Sequence, residues 1–358
     1  MKVAISVLSN IFEDDGTTVR SIRVCDALRQ HGDVTLIAAK SGKGHRGHAQ
    51  IIYISVPRAR QCLQIPIWSL GLLRAMLTNK FDVVFCSNDW FGFSVLHWLS
   101  FIHKHRVIFE AHGILSVEYR DVGRSKVVVK FAQLLERYVV KHADAVVALS
   151  QDIFNFYKNY NHVIELVPAF LDTERYKPDV QRQQELREKY RVSGKLIGLI
   201  GPFNLKFNEH FLTFLYENIN RFDNRIKFMI IGHCDYRIEN ERIIYTGYVE
   251  DYIDHVSCLD CVLVPSEIAT TGPLNKVLEP MSLGLPVFTT PAGLVGLDYV
   301  TPGKDILVFE EKDVVDKIHE LIFNEEFIKE IGRNARHTVE AYYSKEVNGK
   351  KLTAVFER

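Results

Sequence analysis

The sequence has little of what marks several common protein classes. Six cysteines stand in 358 residues, Cys25, Cys62, Cys86, Cys234, Cys258 and Cys261, too few for a scaffold stapled by disulfides. Net charge of either sign is missing, since 44 Lys and Arg meet 44 Asp and Glu. A whole-chain basic field that would hold nucleic acid is thereby excluded, though a local patch is not. No apolar run reaches the ~20 residues of a membrane-spanning helix. One of the longest, 91–102, is interrupted by His97. The opening residues 1–8 are too short for a secretory apolar core, and polar Ser9 and Asn10 and the acids Glu13, Asp14 and Asp15 follow at once. Low-complexity tracts and short internal repeats are absent as well. The expectation is a cytoplasmic protein with reduced thiols.

What is present is alternation. With 47% hydrophobic and 25% charged residues, the composition is that of an ordinary globular chain rather than a disordered one. Short β-branched runs at 3–8, 34–38, 51–56, 83–86, 107–110, 145–149 and 163–167 predict strands. Helical spacing separates them at 17–30, 67–77, 93–103, 126–142 and 152–160. The pattern pauses over 168–193, where Pro178 and the polar run 181–189 suggest a charged linker. It then restarts, with strands at 196–200, 227–231, 243–246, 260–264, 286–289 and 306–308. Helices are expected at 210–219, 252–258, 274–283, 313–323, 325–340 and 347–356. Apolar strands alternating with helices predict parallel sheets covered on both faces. The fold class is therefore α/β, with two Rossmann-like domains at 1–175 and 190–342. In such sheets ligands bind beyond the carboxyl ends of the strands, so two facing sheets would share one site in a cleft.

Three strand-to-helix turns carry candidate chemistry. The turn after the first strand lacks GxGxxG, which disfavours a dinucleotide-binding first half. Its Gly16 precedes a helix, where open amides and the helix dipole attract anions. The turn over 200–208, Ile200-Gly201-Pro202-Phe203-Asn204-Leu205-Lys206-Phe207-Asn208, offers Lys206 to a phosphate and Asn208 as an N-cap. The third is the most informative. A strand leads into the small-residue loop Ala269-Thr270-Thr271-Gly272, then into a helix carrying Lys276 and Glu279 and ending at Gly284. Open amides suit phosphate or sugar oxygens, and a carboxylate further into the helix can accept two hydroxyls of a ribose.

Glu279-Pro280-Met281-Ser282-Leu283-Gly284-Leu285-Pro286-Val287 resembles the donor-binding signature of the GT-B glycosyltransferases, family 4 type, also called glycosyl transferases group 1. The likeness extends to the following loop, Thr289-Thr290-Pro291-Ala292-Gly293-Leu294-Val295-Gly296, and covers nearly the whole chain. It implies that Glu279 binds the ribose hydroxyls of a nucleotide-sugar. The family's first Glu of this element falls at Thr271, giving a form with Thr271, Gly272 and Lys276 on the donor side. The loop over 200–208 resembles the family's phosphate loop; the usual Arg falls near Pro202, leaving Asn204 and Lys206. Gly16 matches the glycine facing the donor phosphates. Glu110-Ala111-His112-Gly113 resembles the strand-end histidine beside the transferred sugar, which makes His112 the implied catalytic residue. The family's crossover helix implies that 343–358 returns to the first domain.

The implied activity is transfer of a sugar from a UDP- or GDP-sugar to a hydroxyl acceptor, such as a lipid-linked or polysaccharide precursor, with retention. No metal-binding DxD stands where a metal-dependent transferase would need it, so neither metal nor cofactor is expected. Two alternatives share the fold. One is a degenerate nucleotide-sugar-binding protein without turnover, the other a nucleotide-sugar 2-epimerase with its own acid and base carboxylates. Weaker features have plainer readings. Cys258, Cys261, His233 and Cys234 lack a second CxxC and read as structural cysteines rather than a zinc site. The glycine-rich run 41–48 lacks Walker spacing and reads as a loop. The aromatic segments 65–77 and 91–106 read as core-facing helices, with a membrane surface and the inner membrane face as the other possibility.

Overall fold

The computed structural model describes residues 1–358 apart from 11–15, 41–49, 58–60, 202, 204, 205 and 267–271; the side chains of 61, 62 and 206–211 are also outside the described set. The chain divides into two units, Met1–Leu171 with Lys345–Arg358, and Asp172–Ser344.

In the first unit, strands β1 (Lys2–Asn10), β2 (Asp33–Lys40), β3 (Gln50–Ser55), β4 (Val83–Ser87), β5 (Arg106–Ala111), β6 (Ala145–Ala148) and β7 (Ile164–Leu166) alternate with helices α1 (Gly16–Leu28), α2 (Gln61–Thr78), α3 (Trp90–His103), α4 (Leu115–Asp121), α5 (Lys126–His142) and α6 (Gln151–Tyr157). The sheet is parallel, in the order β3-β2-β1-β4-β5-β6-β7. β4 and β6 are buried along their whole length. That is why they read as continuous apolar runs, since helices cover both faces of a parallel sheet. One face packs under Trp68, Leu72, Trp90, Phe93, Leu96, Val139 and Ile153. The other packs under Val24, Leu28, Leu352, Val355 and Phe356.

In the second unit α7 (Val180–Lys189) precedes β8 (Lys195–Ile200), α8 (Lys206–Asn218), β9 (Ile226–Ile231), β10 (Ile243–Gly247), α9 (Tyr252–Ser257), β11 (Cys261–Val264), α10 (Asn275–Ser282), β12 (Val287–Thr289), β13 (Leu307–Val308), α11 (Val314–Leu321) and α12 (Glu325–Tyr342). Its sheet is also parallel, in the order β10-β9-β8-β11-β12-β13. The last helix, α13 (Lys345–Glu357), packs on the first unit: Phe356 stacks on Phe85 at 5.4 Å, and Arg106 donates to the Phe356 carbonyl at 3.0 Å.

Three local expectations need correction. The stretch expected as a linker contains α7, a helix so polar that only Leu186 is buried. Asp179 caps it, and Arg187 anchors it through Asp260 at 3.0 Å and the Gly194 carbonyl at 2.6 Å. α4 was not foreseen: its Ile114 N-cap makes no side-chain bond, and its Ser116 amide is satisfied from α5 by the buried Glu136 carboxylate at 3.0 Å. α8 starts already at Lys206, so Asn208 lies inside its first turn and does not cap it.

Candidate functional site

In each sheet the strand order reverses direction at one place, between β1 and β4 and between β8 and β11. Beyond the carboxyl ends of those strands lies the place where open α/β sheets bind ligands. Gly16 follows β1 and α10 follows β11, while His112 lies one strand away, at the end of β5.

In the first unit Gly16 is the first residue of α1, so its amide belongs to the open amides of that helix. One turn on, Arg20 shares the buried stripe of α1 with Val24, Ala27 and Leu28. Its Nε and Nη2 donate to Glu110 Oε1 at 2.9 and 2.7 Å, and Phe170 covers its guanidinium at 4.3 Å. Glu110, fully buried on β5, turns its other oxygen to His112 Nε2 at 2.7 Å and accepts from Ser87 Oγ at 3.1 Å. Glu110 and His112 stand two residues apart, which puts both side chains on one side of an extended chain. Burial pushes the Glu110 carboxyl up, but the Arg20 and His112 charges and hydrogen bonds outweigh it and hold the group at about 2. A carboxylate can only accept, so His112 Nε2 carries the proton. Among the described residues no hydrogen bond reaches Nδ1, and the ring is 12% exposed.

The same strand ends hold a second polar knot. Asn88, in left-handed conformation with φ +52°, donates its amide to the Glu110 carbonyl at 3.0 Å and takes the His112 amide on its side chain at 3.4 Å. Asn tolerates that conformation better than most residues. Asp89 then caps α3, accepting from the Gly92 amide at 2.8 Å, Trp68 Nε1 at 2.8 Å and Ser6 Oγ at 3.1 Å. Burial raises its pKa against the pull of those three donors.

In the second unit α10 opens beyond β11. Thr289 Oγ1 donates to the Val264 carbonyl at 2.8 Å and Thr290 Oγ1 to the Ser266 carbonyl at 2.5 Å, sewing the ends of β11 and β12 together. A Cβ on Gly296, whose φ is +79°, would fall 2.6 Å from the Pro273 nitrogen and 2.8 Å from the Gly272 carbonyl carbon. Only glycine lets the loop after β12 press against the chain that enters α10. Lys276 and Glu279 lie three residues apart, so they share one face of the helix. Glu279 is buried at 9% exposure. Lys276 is half-buried, and loss of hydration draws its pKa down to about 8. The helix ends at Gly284 as expected: with φ +75°, its amide bonds Met281 and the Leu285 amide bonds Pro280, both at 3.0 Å, a Schellman closure.

Within the first unit the structure brings His112 to the carboxyl end of β5 and Gly16 to the head of α1. Within the second it brings Gly272, Lys276 and Glu279 to the head of α10. Lys206 is the first residue of α8, its side chain outside the described set; Asn204, Thr271, Pro202 and the acids at 13–15 lie outside the described residues. Sequence reasoning missed Arg20, Ser87 and Asp89, and it took Glu110 only as a strand end. An arginine on the apolar stripe of a helix was the available signal, since such a charge demands a buried acid. Cys258 donates to the His255 carbonyl at 3.2 Å, and burial lifts its thiol to about 11. Among the described residues no cluster of three or more His, Cys, Asp and Glu is placed to hold a metal ion, and no helix is long and apolar enough to cross a membrane.

Comparison with known proteins bears on the family and the fold. The chain is similar to the capsular polysaccharide biosynthesis glycosyltransferase CapM of Staphylococcus aureus, 23% identical over 198 residues, or 51% of each chain. The chain thus spans about half the length of that curated relative. Among solved structures it shares its fold with Anabaena Alr3699/HepE in complex with UDP-glucose, at a TM-score of 0.79 and 16% identity over 100% of this chain and 99% of that one. It shares it also with the sucrose-phosphate synthase of Thermosynechococcus elongatus, at 0.81 and 15% over 99% and 98%. Residues 15–175 match the family described as Glycosyltransferase Family 4, and residues 194–324 the one described as Glycosyl transferases group 1. The chain belongs to the GT-B glycosyltransferases of group 1, family 4 type.

Proposed function

We propose that the chain transfers a sugar from a UDP- or GDP-sugar to a hydroxyl of a lipid-linked or polysaccharide precursor, with retention and without a metal ion. The observation that carries this reading is the pairing of Lys276 and Glu279 on one face of α10, beyond the switch point of its sheet and inside the segment that matches the group 1 family. A buried carboxylate suits two ribose hydroxyls, and a dehydrated ammonium beside it suits a diphosphate. HepE was solved with UDP-glucose and CapM is named for capsular polysaccharide, which favours a UDP-linked donor and a polysaccharide precursor.

Each residue then has a task. Glu279 accepts the ribose hydroxyls. Lys276 and Lys206 stabilise charge growing on the leaving diphosphate. His112 hydrogen-bonds a hydroxyl of the transferred sugar through Nδ1, while Glu110 holds Nε2. The acceptor oxygen bonds the anomeric carbon as the bond to phosphate breaks on the same face, and the acceptor proton passes to the departing phosphate oxygen. Glu110, paired with Arg20 and held ionised, suits a residue that orients His112 rather than the acid an epimerase would need.

A panel of UDP- and GDP-sugars, each offered with a lipid-linked oligosaccharide, tests the reading. The expected result is one donor class consumed, a product with the donor's anomeric configuration by NMR, and turnover unchanged by EDTA. Free 2-epimer formed without acceptor, or activity abolished by EDTA and restored by Mn²⁺, would overturn it in its respective part.

A further inference from the structure

Helices α2, α3 and α5 pack side by side on one face of the first sheet. The segments of α2 and α3 were expected to face the core, and the inner sides of all three helices do. Their outer sides also carry large apolar residues. Along α2, Leu63, Ile67, Leu70 and Leu77 form an exposed stripe at helical spacing, opposite the buried Trp68, Leu72 and Met76. α3 exposes Trp98, Phe101 and Ile102 at 69%, 69% and 74%, with the two rings 6.1 Å apart. α5 exposes Val127, Val128, Phe131 and Leu134. Isolated exposed apolar residues are ordinary, but three adjacent stripes on neighbouring helices are not.

The charge on this face is as uneven as its polarity. The three helices, of 18, 14 and 17 residues, hold one acid between them, Glu136. That carboxylate is buried and engaged by Tyr157 and the Ser116 amide. Arg74, Lys126, Lys130, Arg137 and Lys141 on the same helices are all exposed. Among the described residues of these three helices no acid is exposed, although the whole chain has equal numbers of acids and bases. Lysine and arginine have long apolar stems, so their charges can reach a headgroup layer while neighbouring aromatics enter the acyl boundary.

We propose that the outer face of α2, α3 and α5 is a docking surface for an anionic lipid bilayer, with Trp98, Phe101, Leu70 and Phe131 entering the interface and Lys126 and Lys130 meeting the headgroups. A protein partner would need an acidic, apolar counter-surface; an anionic bilayer supplies negative charge over apolar depth without one. The inference goes beyond the transferase reading and does not rest on it.

The test is cosedimentation of the full chain with phosphatidylcholine vesicles with or without phosphatidylglycerol, in the absence of any sugar donor, so that failure here and failure of the transferase reading are told apart. Binding is expected only with phosphatidylglycerol and is expected to weaken as salt rises. K126Q/K130Q removes two headgroup charges and should weaken partition roughly thirtyfold. W98S/F101S removes two interfacial rings and should weaken it at least tenfold, with the melting temperature held because both rings lie outside the core. If the aromatic variant does not fold, the lysine pair decides alone. Equal binding to neutral vesicles, no binding to anionic ones, or variants that bind like the parent chain would overturn the proposal. So would a dimer that W98S/F101S dissolves in a chain that ignores vesicles, which would assign the face to a second copy.

Discussion

Replacing Glu110 by alanine strands a guanidinium. Arg20 is buried and spends both Nε and Nη2 on Glu110 Oε1, at 2.9 and 2.7 Å. Breaking a buried ion pair by deleting one partner costs about 3–5 kcal/mol, because the remaining charge cannot be rehydrated. A second route gives a similar size. Glu110 is held at about 2 against an ordinary 4.5. At 1.36 kcal/mol per unit, that difference corresponds to about 3 kcal/mol of stability. For a unit of this size each kcal/mol moves the melting temperature by roughly 2–4 °C, so scanning calorimetry should show a fall of roughly 6–20 °C. The pH dependence has a definite sign. A carboxyl whose folded pKa lies below its unfolded one stabilises above the unfolded value and loses that contribution as pH falls toward the folded one. The gap between the parent chain and Glu110→Ala should therefore be full at pH 6 and close between about pH 4.5 and 2. Arg20→Met combined with Glu110→Leu removes both charges and should regain most of the loss. A loss below about 1 kcal/mol, a gap that ignores pH, or a double variant no better than the single one would refute the reasoning.

Three further outcomes follow from the site. Glu279→Ala deprives the donor ribose of a charged acceptor; donor affinity by calorimetry should fall roughly 10- to 150-fold, and an unchanged dissociation constant would remove Glu279 from the site. Lys276, with its pKa near 8 in the free protein, is mostly charged at pH 7 and mostly neutral at pH 9. Donor affinity should drop roughly tenfold across that interval, and Lys276→Gln should flatten the profile; a slope retained in the variant would point to another group. His112→Ala should lower kcat strongly while nucleotide affinity stays within a few-fold, because its contact tightens as charge grows on the anomeric carbon. Normal turnover in a variant with an unchanged melting temperature would make His112 structural.

Much of the molecule was legible in the sequence because its signals are local. The buried runs of β4 and β6 and the Gly284 stop after α10 follow from patterns a few residues long. Lys276 and Glu279 could be picked out together because helical spacing alone puts them on one face. α7 was read as a linker because a helix with one buried residue shows no apolar period, and it is held by the Asp179 cap and by Arg187 bonding Asp260 and the Gly194 carbonyl. α4 escaped for a related reason, since its open amide end is closed by Glu136 from another helix.

The sequence by itself determined the class of fold, the order of strands and helices, and the placing of Lys276 and Glu279 on one face of α10, because repeating burial and backbone conformation are written into neighbouring residues. The tertiary structure decided the rest. It set the order of strands in each sheet, and with it the reversal points beyond which Gly16 and α10 come to lie, with His112 one strand away on β5. It brought Arg20 to Glu110 across 90 residues of chain, a pairing no spacing announces, since charges find partners through the crossovers of the sheet. It also showed that α2, α3 and α5 are apolar on two sides. A single sequence records how apolar a helix is, but only packing shows which of its faces is left outside.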